Sequence, residues 1–244
     1  MSSNRYVLHF GDCLDILPSL GGQSVGLILA DLPYGTTRCS WDAVIPFEKM
    51  WPVFRRVRKR GAATVLTACM PFTAALVMSN VREFRHHWVW EKNKASGHLN
   101  AKRAPMRAHE DVVVFCEKAP SYTPQMTTGH LPGNYARRVG WSECYGAQVE
   151  TEYGGGTTRY PRTVQAFDIV NNDDPSKVHP TQKPVDLMRY LVRTYSKPGD
   201  VVLDVAMGSG TTGEAALLED RFFIGIEKDG DYFDAAWSRL VEVA

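Results

Sequence analysis

Short apolar runs alternate along this chain with segments of helical spacing, and that alternation constrains its fold more than any other feature. Tyr6 to Phe10, Val25 to Ala30, Ala63 to Leu66, Phe84 to Trp90, Asp111 to Cys116, Val201 to Val205 and Phe222 to Ile226 read as strands. The stretch toward Leu20, Phe47 to Arg58, Pro71 to about Asn80, Val185 to Tyr195, Thr211 to Leu218 and Asp231 to Val243 read as helices. Pro184 suits the start of the helix that follows it. The alternation predicts an α/β domain with a mostly parallel sheet covered on both faces. At 244 residues the chain can bury such a core as one domain over 1–244.

The pattern stops between Lys118 and Val178, where Pro, Gly, Tyr and Arg are common. An unsupported loop of that length is unusual in a compact domain. The aromatics Tyr135, Trp141, Tyr145, Tyr153, Tyr160 and Phe167 argue against a disordered linker. The span 118–178 is therefore expected to be an inserted recognition region or lid. The formal net charge of +1 neither demands nor excludes nucleic acid, because binding depends on where charge clusters. The five cysteines are scattered, with neither a CxxC pair nor a zinc-like Cys/His pattern, so free thiols and no metal are expected. No apolar leader and no membrane-spanning run stands out, so no membrane partner is expected.

Asp31-Leu32-Pro33-Tyr34 follows a buried strand, at the edge where open α/β sheets place their ligands. The tetrapeptide offers a carboxylate, the Pro33 carbonyl and an aromatic face. Two acceptors and a stacking ring suit the exocyclic amine of a base. The alternative is a strand ending in a Pro turn, with Tyr34 as local packing.

A second motif lies near the other end. Val201 to Asp204 runs into Gly208-Ser209-Gly210-Thr211-Thr212-Gly213, a strand, glycine turn and helix, and Glu227 closes the next strand. Glycines let a backbone approach a ligand closely, and an acidic residue at that strand end suits ribose hydroxyls. A phosphate loop would need a Lys that Gly213 lacks. The spacing also matches GxGxxG, so a nicotinamide dinucleotide remains open on this motif alone.

Together these motifs resemble the S-adenosylmethionine-dependent amino-group DNA methyltransferases, of the permuted class in which the catalytic tetrapeptide precedes the cofactor glycines. The family's Asp-Pro-Pro-Tyr is matched at Asp31 to Tyr34, and its Asp-Pro-Phe-x-Gly-Ser-Gly-Thr-Thr at Asp204 to Thr212. Its His-Pro-Thr-Gln-Lys-Pro stands complete at His179 to Pro184, and the ribose strand end is matched at Phe223 to Glu227. Gly11-Asp12 and His109-Glu110 also fit. Leu32 replaces a proline and Val205-Ala206 replaces Pro-Phe, so a looser turn and altered packing at the cofactor are expected.

The resemblance implies a Rossmann-like fold and methyl transfer to a flipped base, most readily adenine N6, with cytosine N4 as the alternative and RNA as a less favoured substrate. It implies S-adenosyl-L-methionine as cofactor, held by Asp12, Asp31, Asp204, Gly208, Ser209, Gly210, Thr211, Thr212 and Glu227. Thr181, Gln182 and Lys183 would form a second wall, with Lys183 on the methionine carboxylate. Asp31, Pro33 and Tyr34 would be catalytic. The partner is double-stranded DNA, and relatives often dimerise. A restriction-modification role and a cytoplasmic or nucleoid-associated location, in a prokaryotic or phage-infected cell, are implied as well. Lys92, Lys94, Lys102, Arg103 and Arg107 form a basic segment suited to phosphates, and Arg137, Arg138, Arg159 and Arg162 lie in the middle region. Competing readings are a nicotinamide-dependent oxidoreductase and an inactive DNA-binding module.

Overall fold

A computed structural model describes residues 5–36, 39, 42–134, 136–144, 146–175 and 177–243. Its elements run β1 (Tyr6–Phe10), α1 (Cys13–Ile16), β2 (Val25–Asp31), α2 (Phe47–Val57), β3 (Arg58–Ala68), α3 (Phe72–Ser79), β4 (Phe84–Ser96) and β5 (Arg107–Phe115). They continue with β6 (Ala136–Ser142), β7 (Gly146–Tyr153), β8 (Val164–Phe167), α4 (Val185–Tyr195), β9 (Val201–Asp204), α5 (Thr211–Leu218), β10 (Phe222–Glu227) and α6 (Gly230–Val243).

Eight strands form one sheet in the order β1-β10-β9-β2-β3-β5-β4-β8. The five strands from β1 to β3 are mutually parallel. Strand β5 runs antiparallel to both β3 and β4, and β8 lies parallel to β4. The sheet is thus mixed but mostly parallel at the end where the helical crossovers lie, as the alternation predicts.

Side chains alternate across this sheet and build a core on each face. Leu27 and Leu29 of β2, Ala63 and Val65 of β3, and Val112 and Val114 of β5 pack with α4, α5 and α6. Ile28 and Ala30, Leu66 and Ala68, and Val113 and Phe115 pack on the other face with α2 and α3. Continuous apolar runs such as Val25 to Ala30 follow from this double coverage.

Two differences from the sequence reading have clear causes. Strand β3 begins at Arg58, not at Ala63, because the Arg58 guanidinium is buried and donates to Thr64 Oγ1 at 3.0 Å and Glu83 Oε2 at 3.1 Å. Arg55 donates to the other oxygen of Glu83 at 2.6 Å, and Arg56 donates to the carbonyls of Leu17 and Leu20. These arginines therefore fasten α2 and β3 to their neighbours. Burial works against the Glu83 carboxylate, but Arg55 and Arg58 outweigh it and hold it below the usual carboxylate range. The second difference is that 118–178 contains strands. Strand β8 is a four-residue edge strand with alternating half-buried positions, too short to read as a period.

The chain divides into two compact units, Met1–Thr123 with Thr163–Ala244, and Pro124–Arg162. The second unit is narrower than the 118–178 segment singled out in the sequence. It holds the antiparallel pair β6 and β7, with Arg137 opposite Glu152 and Trp141 opposite Ala147. A bridge between Thr127 and Arg159 closes it. Tyr135 and Tyr145 lie outside the described residues.

Candidate active site

Strands β2 and β9 are parallel neighbours, with Leu27 opposite Val202 and Ile28 opposite Leu203. From β2 the chain winds to β3 on one side, and from β9 it winds through α5 to β10 on the other. The carboxyl ends of β2 and β9 therefore meet at a topological switch point, the crevice that open α/β sheets use for ligands. A cavity of about 400 Å³ opens there. The tetrapeptide lines it, as does every residue expected on the cofactor except Gly210.

Asp31 ends β2, and Thr67 of β3 lies directly across from it in the register. Tyr34 Oη lies 2.6 Å from Asp31 Oδ1 and 3.0 Å from Thr67 Oγ1, and the Thr67 hydroxyl also hydrogen-bonds Asp31 Oδ1. The Tyr34 ring stacks on Phe72, with centroids 5.0 Å apart. Burial, reinforced by the Asp31 and Glu110 carboxylates, holds the Tyr34 hydroxyl well above the ordinary phenol range, so it remains a donor. Leu32, at the position of the missing proline, is buried in the apolar cluster with Phe72 and Leu66. Packing replaces ring rigidity at that position. Asp42 then accepts from the Gly35 and Thr36 amides at 2.8 and 2.9 Å, which fixes the start of the loop after Tyr34.

Lys183 reaches the same carboxylate from the opposite half of the chain. Its Nζ donates to Asp31 Oδ2 at 2.6 Å and lies 3.2 Å from Glu110 Oε2. Lys92 pairs with Glu110 Oε1 and stands over the Trp90 ring at 4.9 Å. Burial works against the Lys183 ammonium, but Asp31 and Glu110 outweigh it and hold it above the ordinary lysine range. Lys183, expected on the cofactor's carboxylate, is here an ion-pair partner of Asp31. Lys92, expected on DNA phosphate, pairs with Glu110, with a side chain 11% exposed.

The glycine turn joins β9 to α5. Gly208 and Gly210 take φ of +49° and +78°, which a residue with a side chain rarely adopts. A Cβ on Gly208 would stand 3.7 Å from the His179 ring at the cavity wall, and one on Gly210 would press on Ala236 of α6 at 3.0 Å. Glu227 Oε2 accepts from the Gly208 amide, and Oε1 from the Lys228 and Asp229 amides, each at 2.9 Å. The carboxylate is thereby fixed in pose at the cavity edge. Asp12 accepts from the Leu14 amide at 2.8 Å and caps α1. His179 packs against Tyr232 with the rings tilted and their centroids 4.2 Å apart. Its Nδ1 accepts from the Thr181 amide at 3.2 Å, and burial holds the ring below the ordinary imidazole range. Gln182 accepts from the Val178 amide at 3.1 Å.

Asp204 is buried beneath the turn and accepts from the Ala206 amide at 3.0 Å. Burial pushes its carboxyl up to about 7 despite hydrogen bonds from Thr212 and Ala206.

The remaining basic residues divide. Lys102, Arg103 and Arg107 are exposed, the first two on the connection between β4 and β5. Lys94 donates to Asn171 at 2.6 Å. Arg159, expected on DNA, donates within its own unit to the carbonyls of Gly156, Thr158 and Leu131. Arg162 is exposed. Arg137 and Arg138 fall on β6, and their side chains lie outside the described part of the structure. Sequence reasoning missed Thr67 and Asp42. Thr67 is signalled by its place at the end of the strand next to Asp31, whereas a lone Asp in a loop gives no such signal.

A pH prediction follows from Asp204. Between about pH 4 and 7 the folded protein holds a proton there that the unfolded chain releases, so this group lowers stability as pH rises through that window. Asp204→Asn cannot ionise. Its stability relative to wild type should improve by about 1–3 kcal/mol between pH 5 and pH 8, read from urea midpoints. A difference that stays constant across that range would contradict the assignment.

A DNA methylase family model matches residues 25–238. The chain is 29% identical to the DNA adenine methyltransferase YhdJ of Escherichia coli (strain K12), across 97% of this chain and 82% of that protein. It is 26% identical to the type II methyltransferase M1.MboII of Moraxella bovis, across 94% of each. Among solved structures, M1.HpyAVI in complex with SAM superposes with a TM-score of 0.65 at 22% identity, covering 96% of this chain and 98% of that one. The PvuII cytosine-N4-specific DNA methyltransferase gives 0.70 at 16% identity, covering 100% and 92%. The family match runs from β2 into α6 and takes in both Asp31 and the glycine turn: this chain belongs to the DNA methylase family.

Proposed function

We propose that this protein transfers a methyl group from S-adenosylmethionine to the exocyclic N6 of an adenine flipped out of duplex DNA. The observation that carries this reading is the opening of the Asp31 strand end and the Gly208 turn into one cavity. The adenine choice is supported by Asp at the first motif position and by the printed activity of YhdJ. The fold is shared with a cytosine-N4 enzyme and so does not choose between the two amines. Family membership removes the nicotinamide reading left open by GxGxxG.

The residues present fit the cofactor. The turn is bare at Gly208, and Glu227 stands fixed with its oxygens at the cavity edge, where ribose hydroxyls can donate to them. When bound, S-adenosylmethionine supplies an electrophilic methyl group on a sulfonium centre. The chain's part is to prepare the nitrogen. Asp31 and the Pro33 carbonyl accept the two amine hydrogens and draw the lone pair out of conjugation with the ring. Those bonds strengthen as positive charge develops on nitrogen, so they favour the transition state. Phe72 covers one face of Tyr34, and a base stacked on the ring would recover part of the cost of flipping, roughly 1–3 kcal/mol. After transfer the nitrogen sheds one proton, with Asp31 the nearest carboxylate to receive it.

Incubation with labelled cofactor and DNA, followed by nucleoside analysis, should yield N6-methyladenine. Label only in N4-methylcytosine would overturn the adenine assignment. Asp31→Ala should lower turnover about 100-fold or more while the cofactor Kd stays within about twofold. Glu227→Ala should raise that Kd about tenfold or more, as expected for lost hydrogen bonds to a charged group. Calorimetry with S-adenosylmethionine and NAD reads the cofactor choice directly.

Recognition of a short sequence is assigned to the 118–178 segment. Both chain ends already account for the sheet and cavity, and this segment contributes exposed Trp141 and Tyr160 together with its arginines. Grafting 118–178 from a relative with another target should move the methylated site. An active graft with an unmoved site would refute the assignment. The protein is further inferred to act as a homodimer in the cytoplasm or on the nucleoid, and sedimentation at micromolar concentration reads the first of these. Among the described residues no helix is long and apolar enough to cross a membrane.

A further inference from the structure

The target side of the cavity carries four charges in alternating order: Asp31, Lys183, Glu110 and Lys92. Both Asp31 oxygens are occupied, Oδ1 by Tyr34 and Thr67 and Oδ2 by Lys183. Oδ2 keeps room for a second hydrogen bond, but a target amine approaching Asp31 competes with these partners, and one that can yield would open the site to it.

Tyr34 and Thr67 are poor candidates. Tyr34 is held by its stack on Phe72, and Thr67 is fixed by the β2–β3 register. Lys183 is different. It has a flexible four-carbon stem, and a second carboxylate already lies in its reach. Glu110 Oε2 is buried, and the Lys183 ammonium 3.2 Å away is its nearest charged partner. Glu110 cannot drift away, because Lys92 holds its other oxygen and its backbone pairs with Trp90. The Lys183 ammonium also lies over the Tyr34 ring, 5.7 Å from its centroid, where an entering base would meet it.

We propose that Lys183 is a movable counter-ion, seated on Asp31 before the base arrives and withdrawn onto Glu110 when the target amine takes its place. This rests on the reading of Asp31 as the amine's acceptor. Lys183 and Glu110 are then positioning residues. Before base entry the ammonium offsets the cost of a half-buried carboxylate. During transfer its withdrawal leaves Asp31 free to face the positive charge growing on nitrogen. The other titratable groups around Asp31 do not duplicate this role. Burial holds His179 below the ordinary imidazole range, Asp204 is a buried carboxyl pushed up to about 7, and Tyr34 remains a protonated donor. Arg107 lies toward Cys69, with a contact of 3.6 Å to its sulfur.

The test is single-turnover methyl transfer at saturating DNA and S-adenosylmethionine, with the cofactor Kd measured beside it. Lys183→Met removes the counter-ion and should lower the rate about tenfold or more with the cofactor Kd within about twofold, and Lys183→Arg, which keeps the charge, should recover most of that loss. Glu110→Gln removes the alternative seat and should lower the rate about tenfold or more, with the cofactor Kd within about twofold. A cofactor Kd weakened about tenfold in Lys183→Met would overturn the proposal and return Lys183 to the cofactor's carboxylate. A wild-type rate in Glu110→Gln would also overturn it, and this arm decides alone if Lys183→Met lacks a cooperative thermal transition. Full activity in Asp31→Ala sinks the reading of Asp31 itself, whereas a dead Asp31→Ala beside a wild-type rate in Lys183→Met sinks only the counter-ion.

Discussion

Everything at this site depends on two parallel strands ending side by side. Strands β2 and β9 come from opposite ends of the chain, yet their pairing at Leu27–Val202 and Ile28–Leu203 sets Asp31 beside the glycine turn. Neither strand could reach that position unless the chain wound away from the pair in both directions. The order of motifs along the sequence, with the tetrapeptide first and the cofactor turn last, is a consequence the sheet tolerates because it reads only spatial order. Reactions that align an incoming nitrogen with a methyl carbon need that fixed proximity more than they need any single strong acid or base.

Around this geometry the protein arranges its polar groups in advance. Glu227 is held by three backbone amides, Asp31 by two hydroxyls and an ammonium, and Asp42 holds the turn that follows Tyr34. Groups fixed before substrate arrives need no reorganisation at the transition state. The exception is Lys183, whose two carboxylate partners give it somewhere to go. The cavity therefore combines a rigid cofactor side with a target side in which one charge is free to shift.

The sequence exposed the strand ends and the turn because those depend on local pattern. Asp31 follows an apolar run, Gly208 and Gly210 interrupt a strand–helix junction, and Glu227 closes a strand, so each is placed by its immediate neighbours. What required the structure were pairings over long sequence separations. Lys183 meets Asp31 and Glu110, and Arg58 is buried on Glu83, contacts that no periodicity records. A basic residue such as Lys92 reads the same on a strand whether it faces solvent or a buried carboxylate. Strand β8 is not legible in the sequence because an edge strand that is half solvated carries no apolar run.

The central claim is that one cavity, built on Asp31 and the glycine turn, methylates adenine N6 in DNA. Single-molecule sequencing of DNA from a host lacking the modification tests it most directly, because that method reports base, atom and site together. Cells expressing the wild-type chain should carry N6-methyladenine at one short recurring sequence, and cells expressing Asp31→Ala should carry none. Unmodified DNA from the wild-type strain, or the same mark persisting with Asp31→Ala, would contradict the account.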